Sequence, residues 1–180
     1  MFNASIATNS SAGDRPPDLS ERQYLRFALA DGAYAVPIDA VREILELAPI
    51  TPLPQMPPFV RGVMNLRGAV VPVIDLAARY GLPVASVGRR SCIVVVDVPS
   101  PEPSRPGSQV LGLLVDAVHE VLDLDPVDLD AAPALGTRIA PEFIAGITRL
   151  RGAMLVILHL PHSLDTDALA RLIDANPAQH

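Results

Sequence analysis

The 180-residue chain has no tryptophan, and its three tyrosines and four phenylalanines leave it only 4% aromatic. A core must therefore be filled by Val, Ile, Leu and Ala, and where the β-branched residues cluster this composition favours strands. The single cysteine, Cys92, excludes an internal disulfide. Within Arg90-Ser91-Cys92-Ile93-Val94-Val95-Val96 it reads as a small apolar side chain of a buried strand rather than a nucleophile. The net charge is −6 and the arginines are scattered rather than gathered into a stripe, so a nucleic-acid backbone finds no electrostatic footing. The longest apolar stretches, around 110–118 and 154–160, fall short of the about 20 residues a membrane helix needs. Met1-Phe2-Asn3-Ala4-Ser5 has neither the basic flank nor the apolar segment of a secretory signal. These absences point to a cytoplasmic protein without direct membrane insertion.

Catalytic signatures are missing as well. There is no Gly-rich phosphate loop, nucleophile elbow or kinase signature, and His119-Glu120 lacks the second histidine of a zinc-protease helix. His159 and His162 are three residues apart, but one sits at the end of a strand-like run and the other beyond Pro161, without an Asp, Glu or Cys ligand set to complete a metal site. The acidic run from Leu124 to Asp130 lacks the glycine and terminal glutamate of an EF-hand loop and reads as solvated turn charge. No catalytic residue, metal or cofactor is expected. A small-molecule enzyme with a site assembled across the fold stays as a low alternative, as does a self-assembling structural β-protein.

What is present is ample apolar material, 49% of residues with mean hydropathy +0.32, and an internal repeat. The stretch Gly62-Val63-Met64-Asn65-Leu66-Arg67-Gly68-Ala69-Val70-Val71-Pro72-Val73-Ile74 reads as two short strands around a tight reversal. Asn65 can bond its own turn backbone, Gly68 supplies unusual torsions, and Arg67 is left at the tip with its guanidinium outward. An approximate copy, Gly146 to Leu160, follows at an offset of 84 residues, keeping Leu-Arg-Gly-Ala. A second echo pairs Asp39-Ala40-Val41-Arg42-Glu43 with Asp116-Ala117-Val118-His119-Glu120 at an offset of 77. Both echoes occur in the same order, which gives two related half-units, each reading strand, Asp-Ala-Val turn, strand, Phe-containing helical turn and hairpin. Either a pair of small barrels or one pseudo-symmetric sandwich fits.

Along the chain, residues 1–22 have almost nothing to bury and read as a disordered tail. The ordered domain spans 23–176, with a first half at about 23–82, a second at about 88–162 and a C-terminal helix at about 163–176. A hairpin opens at Gln23 with its turn at Asp31-Gly32. One helical turn precedes an extended segment from Arg42 to Leu47. Five prolines between Pro49 and Pro58 force an irregular or edge path. Asp75 to Gly81 reads as a short helix closed by glycine. Strands at 91–98 and 110–115 flank a proline-rich surface loop, and Ser163 is placed to cap the final helix.

With these residues in view, the chain resembles the CheW-type chemotaxis coupling proteins over roughly residues 23–170. Asn65-Leu66-Arg67-Gly68 with Val71-Pro72-Val73-Ile74-Asp75-Leu76 is similar to one hallmark of that family, and Gly112-Leu113-Leu114-Val115-Asp116-Ala117-Val118 to another. The resemblance implies a mainly β fold of two pseudo-symmetric five-stranded β-barrels packed side by side, with short helices and a C-terminal helix. It also implies a non-catalytic adaptor that couples the cytoplasmic tip of a methyl-accepting chemoreceptor to the regulatory domain of a CheA-type histidine kinase within a receptor array. A scaffold of a pilus-motility or biofilm chemosensory system is the alternative. Val41, Glu43, Gly62, Asn65, Arg67 and Val118 match positions the family uses for receptor and array contacts, whereas no kinase-binding residue is assigned. Arg151, in a turn without the asparagine, is expected to matter less than Arg67. The family's usual acidic residue near the end of the last hairpin strand appears here as His159.

Overall fold

The computed structural model describes residues 23–83, 87–100, 107–132, 138–164 and 171. Ten strands follow one another: β1 (Gln23–Leu29), β2 (Gly32–Pro37), β3 (Val41–Glu46), β4 (Val60–Leu66), β5 (Ala69–Asp75), β6 (Cys92–Pro99), β7 (Ser108–Val115), β8 (Ala117–Asp123), β9 (Ile144–Leu150) and β10 (Ala153–Leu158). Two single-turn helices, α1 (Leu76–Arg79) and α2 (Leu160–Ser163), follow the two equivalent hairpins. The strands form two five-stranded sheets in the orders β8-β1-β2-β10-β9 and β3-β6-β7-β5-β4. All neighbours are antiparallel except β2 with β10 and β5 with β7, which are parallel.

The two half-units do not each make a sheet. β1 and β2 of the first half join β8, β9 and β10 of the second, while β6 and β7 join β3, β4 and β5. The sheets are thus related by the repeat and interleaved by the chain, a feature the offsets of 84 and 77 alone do not reveal. The exchange happens at the Asp-Ala-Val segments. Ile38–Ala40 makes one 3-10 turn that carries the chain from β2 into the other sheet, and Asp116, bonded through its N–H to the Ala28 carbonyl at 3.0 Å, marks the equivalent crossing between β7 and β8.

Successive residues of a strand face opposite sides, so a strand apolar on both sides serves two cores. On β6, Val94, Val96 and Val98 enter the core between the sheets, while Ile93 and Val95 enter a second core inside their own sheet with Met64, Val71, Val73 and Leu114. On β10, Val156 and Leu158 face the inter-sheet core, and Leu155 and Ile157 face a third core with Tyr24 and Ala35. Each sheet also curls toward closure. Thr51, beyond β3, pairs with Val63 of the far edge strand β4 (N···O 2.8 and 2.9 Å), and Asp130, beyond β8, pairs with Ile147 of β9 (2.8 Å both ways). The inter-sheet core holds 24 buried residues against six and four in the sheet interiors, so sheet association carries most of the apolar burial among the described residues. Residues 23–82 expressed alone are therefore expected to be unfolded by circular dichroism and amide exchange. A cooperative melt of that fragment would contradict the interleaving.

Several expectations shift in detail. The first hairpin turns at Ala30 and Asp31, both with positive φ (46° and 68°), and Gly32 already pairs with Leu29 in the ladder. Tertiary bonds hold this turn: the Ala30 N–H donates to Asp116 Oδ2 (2.8 Å) and its carbonyl accepts from Arg138 (2.9 Å). Cys92 opens β6 half-buried rather than lying deep within it. Ser163 closes α2, its hydroxyl donating to the His159 carbonyl at 2.7 Å. The expected helix to residue 176, apart from Arg171, and the expected tail at 1–22 lie outside the described residues.

Candidate functional site

The central hairpin has the primed geometry that matches strand twist. Leu66 pairs with Ala69, so Arg67 and Gly68 alone make the turn, with φ of 53° and 88°. Asn65 performs the role its chemistry suggests: its Oδ1 accepts from the Gly68 N–H at 3.1 Å. Asn or Gly suits the first turn position better than arginine, yet the copy repeats the choice, with Arg151 at 52° and Gly152 at 83°. In the copy Arg149 stands where Asn65 does and donates to the Gly152 carbonyl at 3.3 Å instead.

Arg67 is exposed, its side chain 72% accessible, but its fork is occupied. It makes a two-pronged contact to Glu43, with Nη2 donating to Oε1 at 2.8 Å and Nη1 donating to Oε2. Arg67 lies on the β4–β5 edge of its sheet and Glu43 on the opposite edge strand, so the pair spans the seam that the Thr51–Val63 bridge closes. Hydrogen bonding to Arg67 holds the Glu43 carboxyl below the usual carboxylate range. Nothing local signals this pairing, because the partners are 24 residues apart. The outward guanidinium expected from the sequence is thus exposed but already engaged within the chain. The repeat does not reproduce the pair: Glu120, equivalent to Glu43, accepts from Arg26 Nε at 2.8 Å. Arg26 lies opposite Ala35, and the matching place opposite Gly112 in the other sheet is Val95, which leaves Glu43 to Arg67.

Gly62 has a structural reason to be glycine. Its φ is 140°, and a Cβ there would lie 2.1 Å from the Thr51 carbonyl oxygen and 2.9 Å from Pro52 Cα. The closing strand passes against bare backbone at this point.

Val41 and Val118 occupy equivalent places on the edge strands β3 and β8, and both pack half-buried against the one inter-sheet core. A bulge between Val41 and Glu43 turns β3 over, so that Val41 lies beside Val96 of the inter-sheet core and Leu45 beside Ile93 of the sheet's own interior. One large apolar residue of each of these two strands remains outside: Ile44 is 44% and Val121 48% exposed, again 77 residues apart. Val70 and Met154, 84 residues apart, are exposed to similar degrees, 47% and 42%. These four apolar positions were not singled out from the sequence, although the two offsets that define the repeat pair them. Among the described residues no group of three or more His, Cys, Asp or Glu side chains is arranged to hold a metal ion.

The two interleaved sheets, each with its Arg-Gly hairpin, make up a mainly β module. Residues 23–168 match the family model of the CheW-like domain, and the chain belongs to that family of non-catalytic chemotaxis scaffold proteins. It is 37% identical to the chemotaxis protein CheW of Rhizobium meliloti over 77% of this chain and 84% of that one. It is 31% identical to protein FrzA of Myxococcus xanthus over 73% and 77% of the two chains. In structure it is similar to the scaffolding protein TtCheW from Thermoanaerobacter tengcongensis, with a TM-score of 0.70, 31% identity, and coverage of 86% of this chain and 93% of that one.

Proposed function

We propose that the chain is a coupling adaptor that holds a chemoreceptor's cytoplasmic tip and the regulatory domain of a CheA-type histidine kinase together at a receptor array on the cytoplasmic side of the membrane. The observation that carries the receptor assignment is the placement of Val41 and Val118 at equivalent edge-strand positions over one core, each followed by an outward Ile44 or Val121. A helix laid against such a strip is anchored by a few apolar side chains, with nearby charge setting its register. The Glu43–Arg67 pair supplies that charge in preorganised form: an incoming carboxylate competes with Glu43 for the arginine, and an incoming cation competes with Arg67 for the glutamate. Asn65 contributes by fixing the turn, and Gly62 by letting the closing segment pass.

Arg67→Ala is expected to leave the melting temperature almost unchanged, since an exposed ion pair adds little to stability. Receptor-tip affinity is expected to fall by about tenfold, in line with the loss of a charge-assisted contact. Parallel melting and titration experiments decide the point. Unchanged affinity would remove Arg67 from the site, and an equal loss for Arg151→Ala would show that the asymmetry between the two hairpins has no functional meaning.

A further inference from the structure

The two single-turn helices are capped by chemically different residues at one repeat position. Asp75 caps α1, its Oδ1 accepting from the Ala78 N–H at 3.2 Å. Eighty-four residues later His159 caps α2, its Nδ1 accepting from the His162 N–H at 3.1 Å. A carboxylate accepts at any pH above about 4, whereas an imidazole nitrogen accepts only while it carries no proton. Protonating Nδ1 places a donor against a donor and removes the cap.

The surroundings of the ring bear on the same event. His162 on α2 stacks on His159 with ring centroids 4.1 Å apart, an arrangement that two imidazolium cations would not keep. Beside the ring lies a cavity of about 350 Å³ lined in part by Asp39, from the 3-10 turn after β2, and Asp97, from β6. Arg42 lies 3.8 Å from Asp97 Oδ2, and Asp97 Oδ1 has no hydrogen-bond partner among the described residues. From the turn before β9, the Phe143 carbonyl accepts the His159 N–H at 2.8 Å. Burial, with a smaller contribution from His162, holds the capping imidazole below its ordinary pKa.

We propose that His159 is an acid-sensitive latch at the junction of the two sheets: neutral, it caps α2, and protonated, it drops the cap. What the latch holds is part of the inter-sheet core. Ser163 and Leu164 are fully buried, and their N–H groups bond to the carbonyls of His159 (3.0 Å) and Leu160 (2.9 Å). With the folded pKa below the unfolded value, the cap's contribution is present above about pH 6.5 and is lost as the pH falls through the lower folded value.

The test is amide exchange of His162, Ser163 and Leu164 in the full chain, corrected for intrinsic rates, together with titration of the His159 ring by NMR. Between about pH 7.5 and a pH below the midpoint of the His159 ring's own titration, protection should fall about 5- to 10-fold, the size of a lost cap, and follow that titration. His159→Asn keeps an uncharged acceptor at the cap and should show equal protection at both pH values. His162→Gln removes the stacked neighbour and should move the midpoint upward. Constant protection in the unaltered protein would overturn the latch, as would a loss that does not track the His159 ring or one that survives in His159→Asn. The first two readouts need no variant, so they decide even where a substitution impairs folding.

Discussion

Gly62→Ala should be the most damaging single-methyl change in the central hairpin, lowering stability by about 2–5 kcal/mol. Two costs combine: a side chain at φ 140°, and a Cβ 2.1 Å from a backbone oxygen that belongs to the closing Thr51–Val63 bridge. Neither can be relieved by a rotamer change, because the obstacle is main chain. Gly68→Ala is the control, since it also has positive φ (88°) but nothing within 4 Å of the new Cβ, so it should cost only about 1–2 kcal/mol. Urea melts of the two variants compare them directly. Equal destabilisation would mean that the close approach to Thr51 does not exist in solution. A strong loss of receptor binding by a fully folded Gly62→Ala would return this residue to a direct contact role.

The second large effect concerns the edge strands. Val41→Asp or Val118→Asp should weaken receptor-tip binding by about 30- to 1000-fold, equivalent to about 2–4 kcal/mol for an unpaired charge in an apolar contact. Both valines border the inter-sheet core, so these substitutions should also lower the melting temperature. Ile44→Asp and Val121→Asp separate the two effects, because those side chains are nearly half exposed and their replacement should spare the fold. Kinase binding should persist in all four variants. If Ile44→Asp and Val121→Asp bind receptor normally while the valine variants lose both partners, the valines are ordinary core and the docking strip lies elsewhere.

Local pattern made much of the architecture legible. The apolar-in, apolar-out strands, the Arg-Gly hairpins, the helical turn at Ile38–Ala40 and the short helix after Asp75 all follow from residue periodicity and turn chemistry within a dozen positions. Asn65 was identifiable as a turn-holding side chain for the same reason. The rest depends on contacts distant in sequence. The crossing of chains between sheets is set by which edge each Asp-Ala-Val strand finds, and a repeat offset carries no information on that choice. The hairpin turn at Ala30 sits one residue earlier than Asp31-Gly32 suggests, because Asp116 and Arg138 hold an alanine in a conformation it avoids on its own. The Glu43 partner of Arg67 was hidden by 24 intervening residues, and the backbone requirement for Gly62 by a bridge from Thr51. His159 was visible as one of two closely spaced histidines and as a departure from the family's acidic residue, and its capping geometry gives that departure a chemical meaning.

If one face of this chain takes a receptor tip while another takes a kinase regulatory domain, as proposed, both partners can be bound at once. Isothermal titration of the full chain with each partner, then with the second partner added to the first complex, measures it most directly. The expected result is saturable binding of each, a ternary complex of one copy of each component, and loss of only the receptor step in Ile44→Asp. Absence of binding to either partner, or mutual exclusion of the two, would contradict it.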